Sequence, residues 1–223
     1  MWGETEEARE RCLAEFRGYR SEGIFTPPSI QGSLLFPGNG GGINWGGAGW
    51  DRDQNLLVVN VMRTPFWVRL TPRPEGETWG NQKGTPYSMS RAPFLVPDGM
   101  PCYQPPWGTL AAVDLTTGHI AWEIGFGYPP GAEDYPDVGS PNVGGPAVTA
   151  GGVSFIAATM DGHLRAYDTA TGTELWKVEL PAGGQATPMT YEMNGKQYVV
   201  IAAGGHPHYG GNFGDYVVAY ALP

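Results

Sequence analysis

"GTLAAVDLTTGHIAW" (residues 108–122) and "GHLRAYDTATGTELW" (residues 162–176) align without a gap, 54 residues apart. Both hold a Gly and a Leu near the start, an Ala-x-Asp, a Thr-Gly and a closing Trp. The order is a strand-like run, a turn and a second strand-like run. Asp114 and Asp168 stand where a carboxylate can accept from the backbone N–H groups of the turn. Gly118 and Gly172 supply the positive φ that such a turn requires. Trp122 and Trp176 each carry a large apolar area to bury between neighbouring sheets. A repeated unit of strand, turn and strand is the pattern of a β-propeller blade. These six residues are read as structural.

Outward from the repeat, other short runs read as strands: "NLLVVNVM" (55–62), "FWVRL" (66–70), "VSFIAATM" (153–160), "QYVVIAAG" (197–204) and "YVVAYAL" (216–222). The Pro/Gly-rich stretches 71–107 and 125–145 show little periodicity and read as long loops, a length often tied to function. Residues 5–19 form the one convincing helix. Thr5 caps it, Glu6 and Glu7 suit its positive end, and Ala8, Cys12, Leu13, Phe16 and Tyr19 make one apolar stripe. Gly23 and Pro27-Pro28 oppose its continuation, and its expected role is packing.

Glycine (35) and proline (21) are abundant among the 223 residues, but 41% hydrophobic content and eight tryptophans oppose disorder. The expected class is all-β, with many short strands and tight turns. A net charge of −9 without a Lys/Arg block excludes nucleic-acid binding by phosphate neutralisation. There is no apolar run long enough to span a bilayer, and "MWGETEEARERC" lacks the apolar region of a signal peptide. Cys12 and Cys102, 90 residues apart, fit no metal motif. A disulfide and free thiols both stay open, with partly buried thiols the favoured reading.

The Ala-x-Asp-x-x-Thr-Gly-x-x-x-Trp repeat resembles the tryptophan-docking motif of quinoprotein dehydrogenases, which use pyrroloquinoline quinone (PQQ). Longer stretches share the resemblance, among them "GIFTPPSIQGSLLFPGNGGGINWGGAGWD" (23–51), "RAPFLVPDGMPCYQPPWGTLAAVDLTTG" (91–118), residues 144–206 and "GDYVVAYALP" (214–223). They are similar to the C-terminal part of the membrane-bound glucose and quinate dehydrogenase branch. The resemblance implies an eight-bladed propeller with PQQ near its axis. This chain then holds a partial β-propeller of about three to four blades with one short N-terminal helix. Residues 1–25 are expected to form a helix-containing insert and 26–223 the blades and loops of one domain.

The same resemblance implies a sugar or polyol substrate, ubiquinone as electron acceptor and a divalent cation (Mg or Ca) whose ligands are unassigned. It places the chain at the periplasmic face of the inner membrane, with the anchor upstream. The missing N-terminal part of the propeller is then a partner, and the chain alone is expected to be unstable and inactive. The acid–base residues of catalysis also fall upstream, so no catalytic residue is assigned in this segment.

Four residues are candidates for the site. Asn60 closes an apolar run, where asparagine ordinarily forms turns, but its place matches a family asparagine that contacts PQQ. An amide can both donate to and accept from such a ligand. In "GGGINWGGAGWD" (40–51) the absence of a following helix and Lys-Ser/Thr rejects a phosphate loop. Close backbone packing is the plain reading there, with Trp45 as a pocket-wall candidate. Asp161 starts an Asp-Gly turn, and the resemblance puts it near PQQ. His163 departs from the family pattern and reads as strand surface. His206, in Gly-Gly-His, matches a family histidine that recognises the sugar or polyol. His208 reads as a variable loop residue, and Asp215 as a cap before the last strand. No role is assigned within "PAGGQATPMTY" (181–191). Two rival readings are a non-catalytic propeller scaffold of outer-membrane barrel assembly and a soluble methanol-dehydrogenase-like quinoprotein.

Overall fold

The computed structural model describes residues 3, 5–95, 99, 101–209 and 211–221. Gly210 of the histidine loop and the last two residues of the C-terminal run lie outside the described residues. The elements begin with helix α1 (Glu6–Arg17) and strands β1 (Ser33–Leu35), β2 (Ala48–Asp51), β3 (Leu56–Met62), β4 (Phe66–Pro72) and β5 (Tyr87–Pro93). Then come β6 (Gly108–Asp114), β7 (His119–Gly125), β8 (Ala147–Val148), β9 (Val153–Ile156) and β10 (His163–Asp168). The chain continues through β11 (Glu174–Glu179), β12 (Met189–Met193), β13 (Lys196–Ala203) and β14 (Tyr216–Ala221). They fold into two compact units, one comprising Gly42–Met62 and Pro105 onward, the other the preceding residues with Arg63–Gln104.

The first of these is a stack of antiparallel sheets ordered β2-β3-β6-β7, β8-β9-β10-β11 and β12-β13-β14. Each sheet keeps the strands in chain order, as a propeller blade does. The two repeats superpose even in their irregularity. The register shifts between Ala112 and Val113 in one and between Ala166 and Tyr167 in the other, which are aligned positions. The turns form as expected. The Asp114 carboxylate accepts from Thr116 N at 2.7 Å and that of Asp168 from Thr171 N at 2.9 Å, with Gly118 and Gly172 at φ +74° and +72°. Trp122 Nε1 donates to Thr169 O, in the β10–β11 turn of the next sheet, at 3.0 Å. Its ring covers Gly172 so closely that a Cβ there would lie 2.6 Å from Trp122 Cε3. Trp176 meets Tyr220 edge-on at 5.4 Å between centroids, yet stays 38% exposed. Leu56, Val58 and Leu110 of one sheet pack with Ile156 and Tyr167 of the next. Leu164 and Leu180 pack in turn with Val199 and Ile201.

The other unit carries α1 and the sheet β1-β4-β5. Thr5 Oγ1 accepts from Ala8 N, and the helix ends at Arg17, two residues short of the expected limit. β5 falls inside 71–107, which the sequence presents as loop. Only Ser88 of "YSMSRAP" is buried, so the alternation of large and small residues gives the strand no buried apolar face to betray it. Cys12 and Cys102 form a disulfide with Cα atoms 5.3 Å apart, which corrects the reading of free thiols. Both are buried beside Phe94, and the pairing joins positions that only the fold brings together. Arg73, also buried, donates to the carbonyls of Trp79, Asn81, Gln82 and Thr85 and thereby shapes the β4–β5 loop.

Candidate functional site

In the bladed unit, one hydrogen-bonded run links β3 of the first sheet to β10 of the second through the loops between them. Asn60, on β3, is 1% exposed. Its Nδ2 donates to Asn142 Oδ1 at 2.7 Å and to Gly144 O at 3.2 Å. Asn142 Nδ2 donates in turn to Ser140 O at 2.9 Å. These carbonyls set the orientation of both amides, leaving Asn60 Oδ1 buried and unmet among the described residues. Asn142 bridges to Thr159, and Val143 N donates to Ala158 O. Ala158 has φ +66°, a left-handed conformation uncommon outside glycine. It ends the strand run read as 153–160 at Ile156 and turns the chain toward Asp161.

The Asp161 side chain is fully enclosed, and its carboxylate is well supplied. Arg165 Nη2 donates to it at 2.6 Å and Nη1 at 3.0 Å; Thr159 Oγ1 donates at 2.8 Å. The backbone N–H groups of Tyr128 and His163 add 3.2 Å contacts. Burial alone would raise the Asp161 pKa, but Arg165, Thr159 and the His163 N–H outweigh it and hold the carboxyl below the usual range. Arg165, 3% exposed, also reaches Glu174 at 3.2 Å. Asp161 therefore holds a buried arginine and shapes the turn, with its oxygens committed to the protein.

Trp45 stands 66% exposed on a turn closed by Gly47 N donating to Asn44 O. Its neighbour makes the close backbone approach: a Cβ on Gly46 would lie 1.9 Å from the Gly144 carbonyl carbon. His206 sits half-buried after β13, its ring 4.9 Å from that of Tyr209. His206 Nδ1 accepts from His208 N at 3.2 Å, so the neutral ring carries its proton on Nε2. Burial first, then His208, hold its pKa below the ordinary imidazole value. The two histidine rings are tilted by 58° at 5.8 Å and do not converge. Among the described residues no cluster of three or more His, Cys, Asp or Glu is set to hold a metal ion.

Asn142, Thr159, Arg165 and Gln185 join the run without having been singled out from sequence. Arg165 and Asp161 had a visible signal: the first repeat has Ala111 and Trp107 at the aligned positions, so the charged pair is an addition to the blade. Gln185 lies in the 181–191 stretch that carried no assignment, and Asn142 in a loop without periodicity. Nothing local distinguishes either from a turn residue.

Sheets in blade order, tryptophans docked from one to the next and a buried pair of amides between them define a propeller of the quinoprotein type. Residues 1–199 match the family described as "PQQ: Glucose/ethanol/alcohol dehydrogenase, beta-propeller domain", and the chain belongs to that family. It is similar to the quinoprotein glucose dehydrogenase of Escherichia coli (strain K12), at 47% identity over the whole chain and 31% of that protein. It is also similar to a probable quinate dehydrogenase (quinone) of Xanthomonas campestris pv. juglandis, at 42% identity over the whole chain and 31% of that protein. Among solved structures, the quinohemoprotein alcohol dehydrogenase of Comamonas testosteroni superposes with a TM-score of 0.62 and 25% identity. That match covers 85% of this chain and 27% of that one. The chain thus spans about a third of the length of the curated relatives it matches.

The residues present fit PQQ as one wall of its site. Buried Asn60 Oδ1 lacks a donor, and the ring N–H of PQQ is one. The glycines at 46, 144 and 145 keep side chains off the adjoining backbone. The cofactor's carboxylates would need cations, and Arg165 is already committed to Asp161 and Glu174.

Proposed function

We propose that this chain is part of a PQQ-dependent dehydrogenase that oxidises a sugar or polyol, of the glucose or quinate kind, and reduces ubiquinone. Bound PQQ supplies the two-electron acceptor that takes a hydroxyl-bearing carbon to a carbonyl. Asn60 offers its free Oδ1 to the cofactor, and Gly46, beside Trp45, lets the backbone pack tightly against Gly144 and Gly145. Asp161 acts from behind, by fixing Arg165 and the Thr159 turn that carries the wall. His206 offers Nε2–H to a substrate hydroxyl, a donor that suits a polyol. The base that removes the hydroxyl proton belongs to the rest of the enzyme, as does the site of a Mg or Ca ion. The Cys12–Cys102 disulfide favours an oxidising compartment and so the periplasmic face of the inner membrane. No described helix is long and apolar enough to cross a membrane.

The observation that carries this reading is the buried run from Asn60 through Asn142 and Thr159 to Asp161, ending beside the histidine loop through Gln185. A scaffold without a cofactor has no use for an unmet amide oxygen in such a wall. The test is reconstitution of the full-length apoenzyme with PQQ and Mg²⁺ or Ca²⁺, followed by dye reduction with D-glucose or quinate. Reduction that needs both PQQ and one of these substrates is the expected result. A full-length protein that takes up no PQQ would overturn the reading.

A further inference from the structure

The tripeptide Gly183-Gly184-Gln185 lies between the cofactor wall and the histidine loop and is tied to both. Toward the wall, Ala158 N donates to Gly184 O at 2.8 Å, and Gln185 Nε2 reaches Thr159 O at 3.5 Å. Toward the loop, Gly205 N donates to Gly183 O at 2.8 Å and Gly183 N to Asn212 O at 3.0 Å. Gln185 Nε2 also reaches Tyr209 O at 3.5 Å. Neither glycine has room for a side chain: a Cβ on Gly184 would lie 2.4 Å from Leu180 Cδ1, and one on Gly183 would lie 3.0 Å from Gly205 Cα. Gln185 is thus the tripeptide's one source of side-chain chemistry.

Its amide is oriented by the two carbonyls, which can only accept, so nitrogen faces them and oxygen faces away. Gln185 is 5% exposed, and its Oε1 is buried without a donor among the described residues. That oxygen lies next to Gly183, whose Cβ would come within 2.7 Å of it, and Gly183 in turn abuts Gly205, the residue before His206. A buried acceptor left unmet is costly, and one bordered by glycines beside a binding loop has the form of a ligand contact.

We propose that Gln185 is a substrate-binding residue whose Oε1 accepts a hydrogen bond from a hydroxyl of the sugar or polyol. His206 Nε2–H donates to a second hydroxyl, and the pair presents one acceptor and one donor, as a diol requires. The proposal rests on the reading of the histidine loop as the substrate side of the site.

The test uses the full-length PQQ-loaded enzyme with whichever of D-glucose and quinate it oxidises, and with singly deoxygenated analogues of that substrate. In the native enzyme, loss of the hydroxyl that donates to Gln185 Oε1 should lower kcat/KM on the order of tenfold. Gln185→Met should lower kcat/KM for the parent substrate by a similar factor and abolish the penalty for that one analogue, leaving PQQ affinity unchanged. Gln185→Asn, which retracts the amide by one methylene, should shrink the same penalty and serves if the methionine variant does not fold. Penalties that persist in full in whichever variant folds would overturn the proposal, as would a loss of PQQ affinity with discrimination intact. His206→Ala is measured in parallel. If it leaves KM unchanged, the histidine assignment fails, while the analogue test still decides for Gln185.

Discussion

At the scale of single residues, the site depends on which polar atoms are already used. Asp161 and Arg165 are enclosed together, so removing the carboxylate leaves a buried guanidinium with only part of its compensation. Asp161→Ala should destabilise the protein by about 3–5 kcal/mol, read from denaturant midpoints. The lowered pKa of Asp161 has a definite sign: its contribution is present above the carboxyl's unfolded value and is lost as pH falls through the folded one. Asp161→Asn should therefore flatten the acid limb of a pH–stability curve. His206 behaves differently because its pKa is lowered as an imidazole. The neutral ring is favoured in the fold, and stability present above the ordinary value is lost as pH falls through the folded one. Nitrogen-15 NMR should show a neutral, Nε2-protonated ring at pH 7. His206→Ala in the full enzyme should raise KM for the polyol and leave PQQ affinity unchanged; the reverse pattern would remove His206 from the substrate side.

At the scale of elements, a blade is held by its turn and by the tryptophan docked on the next turn. Trp122 joins its indole N–H to Thr169 O and covers Gly172, so Trp122→Ala should cost about 3–5 kcal/mol. Gly172→Ala combines a left-handed φ with a collision against the indole, and thermal unfolding should show a loss of at least about 1–2 kcal/mol from backbone conformation alone. The repeat made these contacts legible, because Asp, Thr-Gly and Trp recur at fixed spacing for a reason of geometry. β5 was not legible, because its large residues Tyr87, Met89 and Arg91 alternate with Ser88, Ser90 and Ala92 and only the small, polar Ser88 is buried. The end of β9 at Ile156 was likewise hidden, because the left-handed turn at Ala158 is carried by a residue with no preference for it.

At the scale of the whole molecule, the chain comprises two units with different means of support. The bladed unit has extended apolar cores between its sheets, whereas the other has a small cluster around the Cys12–Cys102 disulfide. Closing a 90-residue span, this disulfide should be worth about 2–5 kcal/mol. Reduction should speed amide hydrogen exchange in β1, β4 and β5 and leave β3, β6 and β10 protected. Uniform loss of protection would show that the disulfide supports both units alike.

The order of local residues determined the blade turns, the helix cap and the docking tryptophans, because each depends on contacts within a few positions or on a repeated spacing. It also carried the family resemblance, which is spread over long stretches. Only the tertiary structure decided which polar groups meet. The amides of Asn60 and Asn142 are 82 residues apart in sequence, and Gln185 stands 24 residues from the Tyr209 carbonyl it reaches. It likewise decided that Cys12 meets Cys102 and that Asp161 spends its oxygens on Arg165. Hydrogen-bond satisfaction is a property of the folded neighbourhood, and no spacing rule in a single sequence encodes it.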